Sequence, residues 1–193
     1  MSPLRRSDFD AFCGAAFDFL DQAGVRYLVV GGLAVLAVGE PRTTADVDVI
    51  GFLPPTEAER LIDEAVRAGF EVDPQTETQR LERTGTVRFR RAPFQLDIIL
   101  ASLPFEETAY CRGTEHRIFG RTVRFPSPED LILFKVLAGR DKDLLDAVGV
   151  ARRHAETLDR DYLEQTLQPL CDLGEDMAPW RHLQEVLAKC SRS

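Results

Sequence analysis

Two aspartates, Asp46 and Asp48, are the most chemically suggestive residues of this 193-residue chain. They sit in Ala45-Asp46-Val47-Asp48-Val49-Ile50, where polar and apolar residues alternate with the period of a half-buried strand. Residues two apart on a strand point to the same face. Two carboxylates side by side repel, and each opposes the ionisation of the other. A divalent cation relieves that repulsion. Mg²⁺ takes hard oxygen ligands and is usually held by one or two carboxylates together with substrate phosphates. The structural alternative is the exposed polar face of an edge strand.

Two further features bear on that choice. Gly31-Gly32 follows an apolar run and precedes a short helical pattern. Backbone amides freed at such a turn, with no Cβ in the way, can cradle phosphate oxygens. The alternative is a plain tight turn. Asp97 lies in Phe94-Gln95-Leu96-Asp97-Ile98-Ile99-Leu100. An acid in so apolar a strand is costly unless it is paired or bound to metal. If that strand lies beside the Asp46/Asp48 strand, three carboxylates meet, as a two-metal centre for phosphoryl displacement requires. The alternative is a rim acid paired to Arg88 or Arg90.

These residues need a sheet to hold them. A first helix is expected from Ser7, with Phe9, Phe12, Phe17 and Leu20 near helical spacing and Gly24 ending it. Residues 25–30 read as a buried strand, 33–38 as a short helix and 45–50 as the second strand. Thr56, after two prolines, is expected to cap a helix that ends at Gly69. Residues 86–91 and 94–100 read as strands joined at Ala92-Pro93, and 117–119 with 122–125 as a hairpin around Gly120-Arg121. Ser127-Pro128-Glu129-Asp130 is a strong helix start, with Ser as cap, Pro at the first position and acids in the first turn. From there to Ala188 the pattern is helical, with breaks near 139–140, 158–159 and 173–174. The expected organisation is a mixed sheet core over 1–126 and a helical part over 127–193.

Composition excludes several classes. Hydrophobic residues make up 44% and charged residues 29%, which supports a packed core and rules out a disordered chain. The balance of 24 basic and 32 acidic residues gives −8, so this is no generally cationic nucleic-acid coat. Basic residues gather locally, at Arg88, Arg90 and Arg91, then Arg121 and Arg124, then Arg140, Lys142, Arg152 and Arg153. They form either an RNA-backbone patch or scattered solvated arginines. No signal peptide is visible, and no apolar stretch is long enough to cross a bilayer, so no membrane partner is expected. Cys13, Cys111, Cys171 and Cys190 lack metal-site spacing and read as free thiols of a reducing cytoplasm. Arginine far outnumbers the three lysines, which points to a GC-rich bacterial genome.

In order along the chain, Gly31-Gly32, Asp46-Val47-Asp48 and Asp97 resemble the nucleotidyltransferase superfamily of DNA polymerase β. Arg42-Thr43-Thr44-Ala45-Asp46-Val47-Asp48 resembles the R-x-T-x-D-x-D form of bacterial AbiEii and MenT toxin nucleotidyltransferases. Pro128-Glu129-Asp130-Leu131, Lys135, Gly139-Arg140 and the 142–146 run are similar to that group as well. The resemblance covers about residues 25–150. It implies an α/β (α+β) fold of the polymerase β type, a short mixed sheet flanked by helices. It implies transfer of a nucleoside monophosphate from an NTP, such as ATP, to a hydroxyl, with two Mg²⁺ ions or Mn²⁺ in their place. Asp46, Asp48 and Asp97 would be the metal ligands. Gly31, Gly32, Arg42, Thr44, Lys135 and Asp143 would bind nucleotide, and Asp146 would join the catalytic set. The expected acceptor is RNA, at the tRNA 3′ end, for a toxin with a cognate antitoxin. The alternatives are an antibiotic-modifying enzyme acting on a small-molecule hydroxyl, and a catalytically idle nucleotide-binding module.

Lys135 sits among Leu131, Ile132, Phe134, Val136 and Leu137 on the helix begun at Ser127. A lysine there either reaches solvent along its stem or meets a bound anion. Its removal is expected to change stability little, because alanine is the better helix former. Asp143 and Asp146, three apart, share a helix face. Either one faces a site, or Asp143 serves the helix start and Asp146 a surface ion pair.

Overall fold

The computed structural model describes residues 6–40 and 43–190. The chain divides into two compact units, residues 1–33 with 43–125, and 34–42 with 126–193.

The first unit opens with α1 (Arg6–Gln22), whose Phe12, Phe17, Phe19 and Leu20 are buried. Ser7 lies inside this helix rather than at its cap. Gly24, in the left-handed region at φ 69°, turns the chain into β1 (Arg26–Val30). α2 (Gly31–Val38) begins at Gly31, two residues earlier than the apolar pattern suggests, and continues into the second unit. β2 (Asp46–Phe52) leads to α3 (Pro55–Arg67), whose cap is Pro54 rather than Thr56, because Pro55 takes the first helical position. α4 (Pro74–Thr84) follows, then β3 (Thr86–Arg91), β4 (Phe94–Leu100), α5 (Pro104–Arg112), and the hairpin β5 (Thr114–Ile118) with β6 (Arg121–Phe125).

The main sheet has the order β1-β2-β4-β3. Its two central strands, β2 and β4, run parallel, and β1 and β3 flank them antiparallel. Hydrophobic matching fixes the register. Val47 pairs with Leu96 and Val49 with Ile98, and across the next ladder Val87 pairs with Ile98 and Phe89 with Leu96. All six side chains are fully buried on one face of the sheet. Phe19 of α1 meets Phe89 edge-on at 5.7 Å, and Phe17 stacks on Tyr27 at 5.9 Å. A slip of one residue would turn this apolar set to the other face, so the register is strongly specified. The same alternation sends Asp46, Asp48 and Asp97 to the opposite face.

The second unit is helical, with α6 (Pro128–Ala138), α7 (Asp141–Arg153), α8 (Arg160–Gly174) and α9 (Ala178–Cys190). Ser127 caps α6 by accepting from the Asp130 amide at 3.2 Å, as the sequence predicts. The fully buried Asp130 also accepts from Ser127 Oγ at 2.7 Å and from the Tyr162 hydroxyl at 2.6 Å, which ties α8 to the start of α6. Glu129 accepts from the Asp159 amide at 3.2 Å. At the end of α2, Arg153 Nη1 donates to the Gly39 carbonyl at 2.5 Å, and His154 Nε2 lies 2.8 Å from the Val38 carbonyl. Those contacts satisfy helix-end carbonyls that lack an intrahelical donor. Leu131, Ile132, Leu133, Leu163, Leu167 and Leu183 form the core of this unit.

Candidate active site

The parallel β2–β4 ladder pairs Asp48 with Asp97, and Asp46 with Gln95. Paired residues on neighbouring strands share a face, so the three aspartates stand on one side of the sheet, with Asp48 and Asp97 directly opposite each other. Asp97 is buried, whereas Asp46 and Asp48 are half-buried. The next ladder continues the row, pairing Arg88 of β3 with Asp97.

On the other flank, Val30 pairs with Asp48, so the chain leaves β1 beside that carboxylate. Gly31 follows at φ 61°, a conformation that side chains disfavour. A Cβ added to Gly31 would fall 2.0 Å from Asp48 Oδ2 and 2.6 Å from its Cγ. Glycine is therefore required twice over, by the backbone and by the carboxylate lying against it. Because α2 begins here, the Gly31 and Gly32 amides belong to the first helical turn. Amides in that turn have no intrahelical acceptor and favour anions.

Thr44 Oγ1 brackets the Asp46 backbone, 3.4 Å from its amide and 3.3 Å from its carbonyl. This contact orients the start of β2. Arg42, assigned to nucleotide by resemblance, lies outside the described residues.

Asp97 meets Arg88, one of the two partners given in its structural alternative. Arg88 Nε donates to Asp97 Oδ1 and Arg88 Nη2 to Oδ2, both at 2.7 Å. This side-by-side geometry is the strong form of an arginine–carboxylate contact. The bond to Asp97 raises the Arg88 pKa above its ordinary value against the opposing effect of burial, and the charges of Asp97, Asp46 and Glu77 add to the rise. Glu77 of α4 fixes the strand beneath, accepting from the Arg88 amide at 2.7 Å and from Arg80 Nε at 3.0 Å. Among the described residues, no three His, Cys, Asp or Glu side chains are gathered closely enough to hold a metal ion.

In the helical unit, Lys135 has a different surrounding from either option the sequence offers. Its Nζ lies 2.9 Å from Asp143 Oδ1 and 2.9 Å from Asp146 Oδ2, and all three residues are buried. Arg140 Nε also donates to Asp143. Burial pushes the Asp143 carboxyl up, but Arg140 and Lys135 outweigh it and hold the group below the ordinary carboxylate range. Asp143 stands in the first turn of α7 and Asp146 one turn on, so the shared face foreseen from their spacing carries both to one ammonium.

Comparison with solved structures identifies the architecture. An antigenic nucleotidyltransferase-like protein from Paracoccidioides brasiliensis superposes with a TM-score of 0.56 at 19% identity, over 97% of this chain and 95% of that one. The antibiotic-resistance factor ANT(2'')-Ia, in solution, gives 0.59 at 16% identity, over 89% and 97%. The chain has the nucleotidyltransferase fold. A crystal structure of ANT(2'')-Ia in complex with adenylyl-2''-tobramycin also matches, at a TM-score of 0.51 and 17% identity over 80% and 92%. No protein-family model matches the sequence, and a search of curated proteins gave no match. The nucleotidyltransferase fold here is a mixed α/β structure with a small central sheet, as the sequence predicts. Among the described residues no helix is long and apolar enough to cross a membrane.

Proposed function

We propose that the chain transfers a nucleoside monophosphate from an NTP to a hydroxyl group, with the acidic face of the sheet as its site. The observation that carries this is the β2–β4 register, which sets Asp48 against Asp97 with Asp46 on the same face and Gly31 pressed beneath Asp48. The side chains are carboxylates, the oxygen donors that hard divalent cations such as Mg²⁺ or Mn²⁺ take, although among the described residues no three of them stand close enough together to hold an ion. Asp46 and Asp48 would hold the metal pair and Asp97 its second ion. Bound there, such ions would neutralise triphosphate charge and polarise the reacting phosphate. The amides of Gly31 and Gly32 bind triphosphate oxygens. Thr44 keeps Asp46 oriented. Asp97 takes the proton of the acceptor hydroxyl. The hydroxyl oxygen bonds to the α-phosphorus as the bond to the β-phosphate oxygen breaks, and pyrophosphate leaves. The nucleotide-binding and catalytic roles that the resemblance implies for Lys135, Asp143 and Asp146 belong to the same proposal, with one ammonium held between two carboxylates in the helical unit.

Likeness in fold to ANT(2'')-Ia, whose structure is known with adenylyl-2''-tobramycin, supports a small molecule as acceptor. The Arg42-x-Thr44-x-Asp46-x-Asp48 form supports a second reading, in which the acceptor is RNA at the tRNA 3′ end and the protein is a toxin with an antitoxin partner. Incubation with each labelled NTP and Mg²⁺, against an aminoglycoside and lincosamide panel and against total RNA, separates the two. Label on a small molecule supports the first, and label on RNA the second. Asp48→Asn should abolish transfer while the protein stays folded. Transfer that survives Asp48→Asn overturns the site.

A further inference from the structure

The hairpin of β5 and β6 ends the first unit in an open strand edge. β6 lies beside β1, and among the described residues β5 pairs with β6 alone. Thr114, Glu115, His116 and Arg117 are all exposed. A strand edge of this kind presents unpaired amides and carbonyls to any extended segment that can match it. The outer edge of β3, by contrast, is guarded. There the Glu71 amide donates to the Arg90 carbonyl at 2.7 Å and the Glu71 carbonyl accepts from the Arg90 amide at 3.3 Å, and the like charges of Arg90 and Arg91 stand side by side. β5 has neither device, and it contains no proline or glycine. Its pairing with β6 runs unbroken from Thr114 to Ile118, with no bulge to turn the edge away.

The charges along β5 are self-complementary. Glu115 and Arg117 are two apart on the strand and share a face. Glu115 accepts from Arg124 of β6 at 2.7 Å and keeps 57% of its side chain exposed, whereas Arg117 faces the neutral Thr122 across the ladder. We propose that β5 is the docking edge for a second copy of this chain, pairing antiparallel with its own counterpart about a twofold axis at His116. In that register Glu115 of each copy stands opposite Arg117 of the other, and Thr114 opposite Ile118. Each charged row then reads Arg124, Glu115, Arg117 across the two copies, with opposite charges as neighbours. A parallel pairing, or an antiparallel one slipped by two residues, sets Glu115 against Glu115 or Arg117 against Arg117, so charge selects the register. The contact is isologous and closes as a dimer, joining two hairpins into one four-stranded sheet. Its small area makes the dimer weak and concentration-dependent.

The test is sedimentation velocity of the full chain from about 5 to 500 µM in low-salt buffer, where surface charges are least screened. The samples are wild type, Arg117→Glu, Glu115→Arg and an equimolar mixture of the two variants, with circular dichroism confirming that each is folded. Wild type should pass from monomer to dimer across the range. Each variant alone sets like charges opposite one another in both charged rows and should self-associate about tenfold more weakly or worse. The mixture matches every row again and should recover the dimer. If Glu115→Arg, which also opposes Arg124, does not fold, Arg117→Glu alone decides the matter, because its ladder neighbour Thr122 is uncharged. Wild type that stays monomeric at every concentration overturns the proposal and leaves the edge to a strand of another protein. Variants that dimerise as well as wild type, or a mixture no better than its components, place the association on another surface and overturn it equally.

Discussion

Replacing Lys135 by methionine keeps the aliphatic stem and removes the ammonium, and the structure makes its cost large. Asp143 and Asp146 would lose a partner 2.9 Å away from each. Both carboxylates are buried, so solvent does little to screen the loss. Asp143 would keep Arg140. Breaking a buried ion pair by removing one partner costs about 3–5 kcal/mol. For a chain of this length about 2–4 °C accompanies each kcal/mol, so the melting point should fall by about 6–20 °C. Urea denaturation of the nucleotide-free protein measures it directly, as a lower midpoint at an unchanged slope. Adding Asp146→Asn to Lys135→Met removes one of the two buried carboxylates and should recover part of the loss. Helix propensity alone predicts almost no change, since methionine and lysine rank alike. A loss below about 1 kcal/mol, the range of an exposed pair, would refute the reasoning and mean that the triad is hydrated in solution.

Two further outcomes are expected. Gly31→Ala must accept a left-handed residue, at roughly 1–2 kcal/mol, and must push away Asp48 Oδ2, which lies 2.0 Å from the new Cβ. Denaturation midpoint and Mn²⁺ titration should both worsen, and a variant that matches wild type in both would show that Asp48 does not lie against Gly31. Asp143, held below its ordinary pKa in the fold, binds fewer protons folded than unfolded as the pH falls through the carboxylate range. Its contribution is therefore present above the unfolded pKa and lost as pH drops through the lower folded one. Unfolding free energy followed from pH 7 to pH 3 should fall less steeply in Asp143→Asn than in wild type, and parallel curves would refute the assignment.

Local rules carried much of this fold. The alternation in residues 45–50 is legible because one face of β2 is apolar and buried, a pattern with period two. Ser127-Pro128 marks the start of α6 because both residues satisfy helix-end geometry without outside help. Gly24 ends α1 because its positive φ is a backbone property. Helix α4 was not foreseen, because its polar sequence buries only Glu77 and Leu81, and the burial of Glu77 depends on an amide of a different element. Strand β5 extends beyond its expected limits because its residues are almost wholly exposed and show no alternation. The candidate site divides in the same way. Residue types and spacing nominated Asp46, Asp48, Asp97 and Gly31, since same-face geometry and glycine's freedom are local. That Asp48 stands opposite Asp97 depends on parallel pairing across a long crossover, which is set by how Val47 and Val49 match Leu96 and Ile98 in the core. That Arg88 holds Asp97, and that Lys135 is enclosed by carboxylates 8 and 11 residues further on, depends on which charges the packed elements bring within reach. Sequence alone determined which groups could do the chemistry, and tertiary structure decided which charges neutralise one another, because ion pairing falls off over a few ångströms that only packing can fix.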